Sequence, residues 1–305
     1  MKVAITGASG LIGSYLCSRY IGKGNDVIAL TRSKRNFPNI KGLKSIIEYG
    51  YTNNTLDKSI NDTDLFINLT GKNIVGRWTK TNKQIIYKSR VEYTQNLVDS
   101  LSKLSNPPKM LISASAIGYY GDTGIIKVNE QSDIGSGFFS ELCKDWEQAA
   151  LKAETFDIKT VTLRIGIVIS NKGGAFSRML LPFKLGLGAK FGSGKQLWSW
   201  VHIEDVYRAI EFARENNIVG PINIVAPEVV TQYDFAKHLA SVLSRPLIFT
   251  LPEILINLIL GEMSTELLSS KNVVSQKLNA HGFRFRYENI TQAFAAELNG
   301  NNQYS

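Results

Sequence analysis

The sequence predicts an α/β fold in which a doubly wound parallel sheet carries helices on both faces. An apolar strand at the start of the chain runs into a glycine-rich turn and then into an apolar helix, over residues 1–20. Further stretches typical of buried strands alternate with helical stretches as far as residue 225, and short helical pieces follow Arg245-Pro246. These observations predict one large domain over residues 1–245 and a small, mostly helical C-terminal subdomain over residues 246–305.

The turn after the first strand has the pattern Gly7-x-x-Gly10-x-x-Gly13. In a strand-turn-helix setting, Gly7 allows a sharp turn, Gly10 lets the backbone approach a pyrophosphate, and Gly13 lets the helix pack closely on the sheet. The unpaired N–H groups at the start of the helix favour an anion. The pattern therefore predicts a bound dinucleotide, and a glycine-rich turn without a ligand is the alternative.

The later elements continue the same alternation. A long helix is predicted over residues 82–104, with an apolar stripe that packs in the core. Because Glu253–Leu260 is apolar on most faces, we expect it to pack on the large domain as a wall of a cleft. The predicted strands are 3–5, 26–30, 44–49, 64–69, 109–113, 159–164 and 221–225, and the predicted C-terminal helices are 253–260, 265–270 and 289–298.

A basic loop, Thr31-Arg32-Ser33-Lys34-Arg35, follows the second strand. An NAD site is expected to have an Asp or Glu at this distance from the glycines, where it meets the adenosine ribose. Three cations around two hydroxyls suit a 2′-phosphate instead, because an Arg side chain binds phosphate through two charge-assisted hydrogen bonds. The loop therefore favours NADP(H) over NAD(H), and a solvated basic loop is the alternative.

The composition narrows the class of partner. The net charge is +9, but the cations are scattered, and no basic tail or aromatic-interleaved patch marks a nucleic-acid partner. The longest apolar stretch, 254–260, is too short to span a bilayer. Cys17 and Cys143 have no disulfide or metal spacing, and no signal peptide precedes the first strand. We expect a cytoplasmic protein that takes a small-molecule substrate and binds no nucleic acid, membrane or metal, and the oligomeric state is left open.

Two sets of motifs carry a resemblance to a known superfamily. Gly7-Ala-Ser-Gly-Leu-Ile-Gly13, Ile67-Asn-Leu-Thr-Gly71, Ser113-Ala-Ser-Ala-Ile-Gly-Tyr-Tyr-Gly121 and Leu163-Arg-Ile-Gly166 resemble landmarks of the extended short-chain dehydrogenase/reductases, which include nucleotide-sugar epimerases and dehydratases. Arg77-Trp78, Ser89-Arg90-Val91, Gly173-Gly-Ala175 and Trp198-Ser-Trp-Val-His202 resemble one atypical branch of epimerase-like proteins, some with a cell-division-inhibitor label. The likeness covers essentially the whole chain and implies an NADP(H)-binding Rossmann fold.

The resemblance also implies where the cofactor lies. Its pyrophosphate loop corresponds to Gly7, Gly10, Leu11 and Ile12, its adenosine end to Thr31 and Arg32, its nucleotide-lining strand end to Leu69 and Thr70, its cation on the long helix to Arg90, and its nicotinamide side to Val168. Ordinary strand-end packing is the alternative for Leu69 and Val168. A surface ion pair with Glu92 or Asp99 is the alternative for Arg90.

The catalytic residues of the superfamily are only partly matched. Its usual mechanism has a Ser or Thr that polarises the substrate oxygen, a Tyr acid/base, and a Lys four residues later that lowers the Tyr pKa and binds the nicotinamide ribose. Ser115 matches the hydroxyl, but the Tyr-x-x-x-Lys frame falls on Ser140-Glu-Leu-Cys-Lys144, which leaves Lys144 without its phenol. Tyr119 and Tyr120 are further candidates for proton transfer.

Other groups could replace the missing phenol. Glu141, Asp145, Cys143 and His202 are candidates, although Glu141 and Asp145 have the helical spacing of a solvated ion-pair face with Lys144. The stretch around His202 resembles a structural Val-His-x-x-Asp segment of the superfamily, in which the His packs and the Asp, here Asp205, caps a helix.

Two functions follow from these residues. In the first, the protein is an NADP(H)-dependent, epimerase-like oxidoreductase acting on a small polar metabolite, with nucleotide sugars as one candidate class, in a cleft between the sheet and the C-terminal subdomain. In the second, it is an NADP(H)-binding regulatory or cell-division-associated protein with weak or no catalysis. The glycines and Ser115 favour the enzyme, and the missing Tyr favours the regulatory protein.

Overall fold

The computed structural model describes residues 1–50 and 55–299 of the chain. Its strands in chain order are β1 (Lys2–Thr6), β2 (Asp26–Thr31), β3 (Ser45–Glu48), β4 (Leu65–Asn68), β5 (Met110–Ala116), β6 (Lys159–Ile165), β7 (Ile167–Ile169), β8 (Ala189–Phe191), β9 (Leu197–Trp198), β10 (Trp200–His202), β11 (Gly220–Ile224), β12 (Val230–Thr231) and β13 (Phe249–Leu251). Its α-helices are α1 (Leu11–Gly22), α2 (Lys80–Tyr87), α3 (Tyr93–Leu101), α4 (Phe138–Leu151), α5 (Gly174–Lys184), α6 (Ile203–Glu215), α7 (Gln232–Val242), α8 (Glu253–Leu260), α9 (Ser264–Leu268), α10 (Gln276–Ala280) and α11 (Ile290–Asn299).

The central sheet has seven parallel strands in the order β11-β6-β5-β4-β1-β2-β3. The chain winds outward from β1 in one direction and then crosses over to β4, so the predicted doubly wound fold is confirmed. The register pairs Thr6 with both Leu30 and Asn68. The carboxyl ends of β1, β2 and β4 are therefore level, and the switch in winding direction opens a crevice there, where ligands bind in such sheets.

The predicted strands and the long helix are confirmed, with boundaries that differ by three residues or fewer in the structure. Strand β1 is fully buried at Val3, Ala4 and Ile5, as expected of a strand covered by helices on both faces. The long helix consists of α2, a π-helical turn over Lys88–Glu92, and α3. The extra residue of a π-turn shifts the helix face, and turns of this kind are common near functional sites.

Two glycines of the first turn are required by close backbone contacts. Gly7 has φ +67°, and a Cβ atom there would lie 2.7 Å from the carbonyl oxygen of Leu69. A Cβ atom on Gly13 would lie 2.2 Å from the carbonyl oxygen of Gly7. Gly7 thus makes a sharp turn against the end of β4, and Gly13 lets α1 pack on that turn, whereas the sequence predicts that it packs on the sheet.

The C-terminal segment contacts the large domain through strand pairing, an isolated β-bridge and helix packing. Strand β13 pairs in parallel with β8, and Val273 forms a bridge with Val128. Helix α11 packs on α7, and the Phe294 ring stacks on Phe176 with 5.3 Å between the ring centroids. The boundary between residues 245 and 246 stays a prediction. Within the residues that the structure describes, no helix is long and apolar enough to cross a membrane.

Helix α8 packs on the large domain through one face only, with Leu260 against the cluster around Trp78 and Phe139, and much of its apolar surface is exposed. Ile256 is buried, but Ile254, Leu258 and Ile259 are 79%, 64% and 61% exposed. The helix is only two turns long and lies between Pro252 and Gly261, so a single face meets the domain. Its last carbonyls accept hydrogen bonds from the Arg77 guanidinium, including one of 3.3 Å from Nε to the Ile259 oxygen. An apolar composition indicated burial, but the number of packed faces is a property of the tertiary structure.

We predict that Gly7→Ala destabilises the protein more than Gly24→Ala. Both glycines have similar positive φ values, +67° and +75°, so both substitutions cost about 1–2 kcal/mol of backbone strain. Only Gly7 has backbone atoms within 4 Å of the new Cβ, which adds about 1–3 kcal/mol of overpacking. Urea denaturation of the two variants measures the difference, and equal losses would contradict the contact with Leu69.

Candidate functional site

A cleft of about 420 Å³ lies at the carboxyl ends of β1, β2 and β4, and we call it the glycine-loop cleft. Its charged lining residues are Arg32 and Lys72, and none of its described lining residues is an Asp or Glu. Such a cleft attracts an anionic ligand. Six of the residues predicted to bind a cofactor line it: Gly7, Gly10, Thr31, Arg32, Leu69 and Thr70.

Helix α1 begins at the edge of this cleft. Gly10 precedes the helix, its amide donates to the Gly7 carbonyl oxygen at 2.9 Å, and its carbonyl oxygen accepts from the Ser14 amide at 2.9 Å. Leu11 and Ile12 then supply first-turn amides that have no acceptor within the helix. The first turn carries no acidic residue. These features suit an anion at the start of α1.

The basic loop after β2 has a defined shape. The Thr31 hydroxyl donates to the Ser33 carbonyl oxygen at 3.2 Å, and Arg32 faces the glycine-loop cleft. Sequence reasoning missed Glu48, at the end of β3, whose carboxylate accepts from the Lys34 amide at 2.7 Å. A contact between the ends of neighbouring strands is visible only once β2 and β3 are paired.

The π-helical turn supplies a wall of the same cleft. Ser89 lines the cleft, and its hydroxyl accepts from the Lys72 amide at 3.0 Å. Arg90 is buried, with its guanidinium carbon 5.2 Å from the centre of the Trp146 ring and directly against Gly71, another lining residue. Arg90 thus lies behind a lining residue of the cleft, and its contact with the nucleotide stays a prediction. Ser89 is not predicted as a cleft residue, because no sequence pattern indicates the π-helical turn that directs it to the cleft.

Val168, which is predicted to lie at the nicotinamide side of the cofactor, is not among the residues that line the glycine-loop cleft. It belongs to the short strand β7, which follows β6 and pairs in parallel with β10, where Val201 is its partner. Its side chain is partly buried against the main core. Its assignment to the nicotinamide side stays a prediction.

Ser115 belongs to a buried polar network. Its hydroxyl donates to Oε1 of Glu147 at 2.6 Å, and Glu147 accepts two further hydrogen bonds of 2.8 Å from Nε and Nη2 of Arg164. Arg164 Nη1 donates to the Tyr120 hydroxyl at 2.9 Å, and that hydroxyl donates to Asn223 at 2.8 Å. Burial raises the pKa of Tyr120 to about 12, which makes this phenol a poor proton donor near neutral pH.

The network limits what Ser115 can do. A serine hydroxyl has one proton to donate and two lone pairs that accept. While the proton is donated to Glu147, Ser115 can accept a hydrogen bond from a substrate hydroxyl but cannot donate one to a carbonyl oxygen. Its catalytic assignment stays a prediction, and the geometry favours contact with an alcohol.

Helix α4 presents a different frame from the one read in the sequence. Glu147 contacts Ser115, the Cys143 sulfur contacts the Ala116 backbone, and the Phe139 ring lies on Gly118. These helix residues are spaced by four, so Phe139, Cys143 and Glu147 share the face of α4 that meets the end of β5. Burial raises the pKa of Cys143 to about 12, so the thiol is neutral.

Lys144 lies at the side of this face. Its side chain is 42% exposed, and its Nζ atom is 3.4 Å from Glu141, in the ion pair that the helix spacing predicts. Ser140, four residues earlier, is buried, and its hydroxyl donates to the Gly118 carbonyl oxygen at 2.9 Å. Asp145 accepts a hydrogen bond of 3.1 Å from Tyr87. The role of Lys144 in catalysis stays a prediction.

His202 takes the helix-capping role predicted for Asp205, and its ring also packs against Tyr287. His202 is the residue that caps α6, because its Nδ1 atom accepts from the Glu204 amide at 3.1 Å. Asp205 accepts from the amides of Arg286 and Tyr287 at 2.8 and 2.9 Å. The expectation that Asp205 caps the helix is therefore wrong, because its buried carboxylate is used to hold the C-terminal segment.

A second cavity, of about 530 Å³, lies between the start of α4 and residues 257–271, and we call it the α4 cavity. Its aromatic walls are Trp78, Phe138 and Phe139. Glu266 and Lys271 form a pair within it, with 3.4 Å between Oε2 and Nζ and side chains that are 19% and 7% exposed. Burial raises the pKa of Glu266, and Lys271 opposes this effect.

Cys17 and Cys143 are free and buried. Over residues 1–50 and 55–299, no group of three or more His, Cys, Asp or Glu side chains is arranged to hold a metal ion.

The doubly wound sheet and the glycine turn at its switch point define a Rossmann-type α/β protein of the short-chain dehydrogenase/reductase kind. The family model described as the NAD dependent epimerase/dehydratase family matches residues 3–225, and the one described as a domain of unknown function, DUF1731, matches residues 251–297. The chain belongs to the NAD-dependent epimerase/dehydratase family.

Relatives from bacteria and human match almost the whole chain. An epimerase family protein of Staphylococcus haemolyticus is 38% identical, over 95% of this chain and 96% of its own length. The crystal structure of human epimerase family protein SDR39U1 with NADPH is 30% identical, with a TM-score of 0.85, over 96% of this chain and 98% of that chain. A nucleoside-diphosphate sugar epimerase from Corynebacterium glutamicum is 29% identical, with a TM-score of 0.76, over 98% of this chain and 58% of that chain.

We predict that Glu147→Gln destabilises the protein by about 3–5 kcal/mol, because it leaves the buried Arg164 guanidinium without its countercharge. Glu215→Gln is the matched control: it removes a mostly exposed carboxylate that is 2.8 Å from Arg214, and we expect a loss below about 1 kcal/mol. Urea denaturation measures both. Similar losses for the two variants would show that the buried pair contributes no more than a surface pair.

Proposed function

We propose that this protein is an NADP(H)-dependent, epimerase-like oxidoreductase that acts on a small polar metabolite. The observation that carries the proposal is the glycine-loop cleft, which brings together the glycine turn, the start of α1, the Arg32 loop and the end of β4, with two cations and no described carboxylate in its lining. The NADPH in the human relative supports the same cofactor.

NADP(H) is favoured over NAD(H) by the residue at the end of β2. The side chain that follows Thr31 there is Arg32, a cation that can hold a 2′-phosphate through two hydrogen bonds. An acidic residue at this place would hold the 2′-hydroxyl of NAD and repel a phosphate. Glu48 accepts from the backbone of Lys34 and is not among the lining residues of the cleft.

We assign the substrate to the α4 cavity, beside Phe139 and beside Gly121, which follows the turn after β5. Nucleotide sugars are one candidate class, which the sugar epimerase among the relatives supports. Ser115 is assigned to the substrate oxygen, and Lys144 is the predicted residue for ribose binding. The epimerase family membership supports hydride chemistry at this place.

A second candidate function is an NADP(H)-binding regulatory or cell-division-associated protein with weak or no catalysis. Phe139 and Cys143 favour it, since the α4 side chains that face the end of β5 are a phenyl ring and a neutral thiol. The two functions differ in whether the bound cofactor transfers hydride to any metabolite.

We predict that the intact protein binds NADP(H) at least about tenfold more tightly than NAD(H), which corresponds to roughly 1.4 kcal/mol. Arg32→Ala should remove this preference and leave the binding that the glycine loop provides. Arg35→Ala, an exposed change in the same loop, should keep it. Isothermal calorimetry measures all affinities, and equal affinities of the intact protein for the two cofactors would refute the NADP(H) assignment.

We predict that Ser115→Ala lowers turnover by roughly 10²-fold or more, because we assign its hydroxyl to the substrate oxygen. It should leave NADP(H) affinity almost unchanged, because Ser115 does not line the glycine-loop cleft. Ser113→Ala is the control, since Ser113 is also buried on β5 and accepts a 3.2 Å hydrogen bond from Asn68. Steady-state kinetics with cofactor titrations separate the two effects. If both variants lose stability alone and keep turnover, Ser115 has a structural role.

A further inference from the structure

The end of α4 that faces β5 offers no group that can protonate a carbonyl. Phe139 has no titratable group, Cys143 holds its proton with a pKa of about 12, and the proton of Ser115 is donated to Glu147. Tyr120 donates to Asn223 and has a pKa of about 12. An oxidoreductase that reduces a carbonyl needs a proton donor, and besides Tyr119 the far side of the α4 cavity carries a titratable pair, Glu266 and Lys271.

Lys271 is held between the α4 cavity and the strand that carries Val168. Its amide donates to the Leu197 carbonyl oxygen at 2.7 Å, and its carbonyl oxygen accepts from the Ser199 hydroxyl at 2.6 Å. The carbonyl oxygen of Ser199 in turn accepts from the amide of Ile167, the first residue of β7, at 3.0 Å. The backbone of Lys271 is thereby tied to the start of β7, the strand assigned to the nicotinamide side.

Glu266 reaches toward α4 from the other side of the cavity. Burial raises the pKa of the Cys143 thiol on α4, and the charges of Glu147 and then of Glu266 add to this rise. The carboxylate of Glu266 is 3.4 Å from Lys271 Nζ, and Ser269 accepts from the same Nζ atom at 2.6 Å. The ammonium is therefore oriented by two partners and keeps a third proton for a ligand in the cavity.

We propose that Lys271 and Glu266 are the acid/base pair of this protein, in place of the Tyr and Lys of the superfamily, and that the α4 cavity takes an uncharged metabolite with hydroxyl or carbonyl groups. This inference rests on the proposed oxidoreductase function. In the reductive direction, NADPH bound in the glycine-loop cleft would supply a hydride, with its electron pair, to the carbonyl carbon. The C=O π pair moves to the oxygen, which takes a proton from the Lys271 ammonium. The Lys271 amine then takes up a proton from bulk solvent. The Glu266 carboxylate holds the resulting ammonium in place. The products are an alcohol and NADP⁺.

The substrate class follows from the charges of the cavity. Its lining carries three carboxylates, Asp122, Glu262 and Glu266, against the single ammonium of Lys271. Glu262 is also paired with Lys83 at the rim. An anionic group in this cavity would be repelled, whereas hydroxyl groups can donate to the carboxylates and apolar C–H faces can pack on Trp78. The part of the substrate that reacts is therefore uncharged.

The test uses the full chain with NADPH and a panel of carbonyl probes. Dihydroxyacetone and xylulose are the uncharged probes, and dihydroxyacetone phosphate and glyoxylate are the anionic ones. We expect turnover of the uncharged probes, with kcat/KM at least about tenfold higher than for the anionic probes.

Lys271→Ala should lower kcat by about 10²-fold or more with unchanged NADPH affinity, and methylamine should restore part of the loss. Glu266→Gln should lower kcat more than it changes KM. Lys109→Ala and Glu215→Gln, both changes in exposed ion pairs, are the controls.

The outcomes separate this inference from the proposed function. If NADPH is bound and hydride is transferred but Lys271→Ala and Glu266→Gln keep kcat, the acid/base assignment is refuted while the oxidoreductase function stands. A loss in Lys271→Ala that methylamine does not restore, accompanied by a lowered melting temperature, also refutes it, since it indicates a structural role. If the intact protein binds NADPH but transfers hydride to no probe, the proposed function itself fails. Preferential turnover of the anionic probes refutes the substrate class.

Discussion

The buried ion pair between Glu147 and Arg164 connects the elements around the site. Glu147 lies on α4 and Arg164 on β6, and two hydrogen bonds of 2.8 Å join them. The pair extends to Ser115 on β5 and, through Tyr120, to Asn223 on β11. Burying two charges is costly unless every polar atom finds a partner, and here the partners come from neighbouring strands and one helix. The orientation of α4 on the sheet therefore depends on this network.

The same network determines which protons remain available where α4 meets β5. It uses the hydroxyl of Ser115 and the phenol of Tyr120 as structural hydrogen-bond partners, and so both protons are already donated. Helix α4 then presents Phe139 and Cys143 to the end of β5, which are apolar or neutral. The C-terminal segment returns to this edge of the sheet and adds the titratable side chains of Glu266 and Lys271 beside α4.

The C-terminal segment has this position because the large domain holds it at several places. Asp205 binds the amides of Arg286 and Tyr287, Ser199 binds Lys271, and Val128 bridges Val273. These contacts bring Lys271 to the wall of a cavity whose opposite wall is α4. The two cavities differ in charge: cations line the glycine-loop cleft and carboxylates dominate the α4 cavity. The charges favour an anionic ligand in the glycine-loop cleft and an uncharged group in the α4 cavity.

The sequence by itself determined the sheet and the cofactor loop, because both depend on local patterns. Buried parallel strands are continuous apolar runs, and the turn at Gly7 requires a residue without a Cβ atom, so each is visible in a short stretch of chain. Only the tertiary structure decided the frame of α4, the exposure of α8 and the partners of Asp205. A helix with several apolar faces can pack on a sheet at more than one rotation about its own axis. Which rotation α4 adopts depends on partners on other elements, such as Arg164 on β6. Likewise, Lys271 and Glu266 have no motif, and they meet α4 only because the last segment of the chain returns to the edge of the sheet.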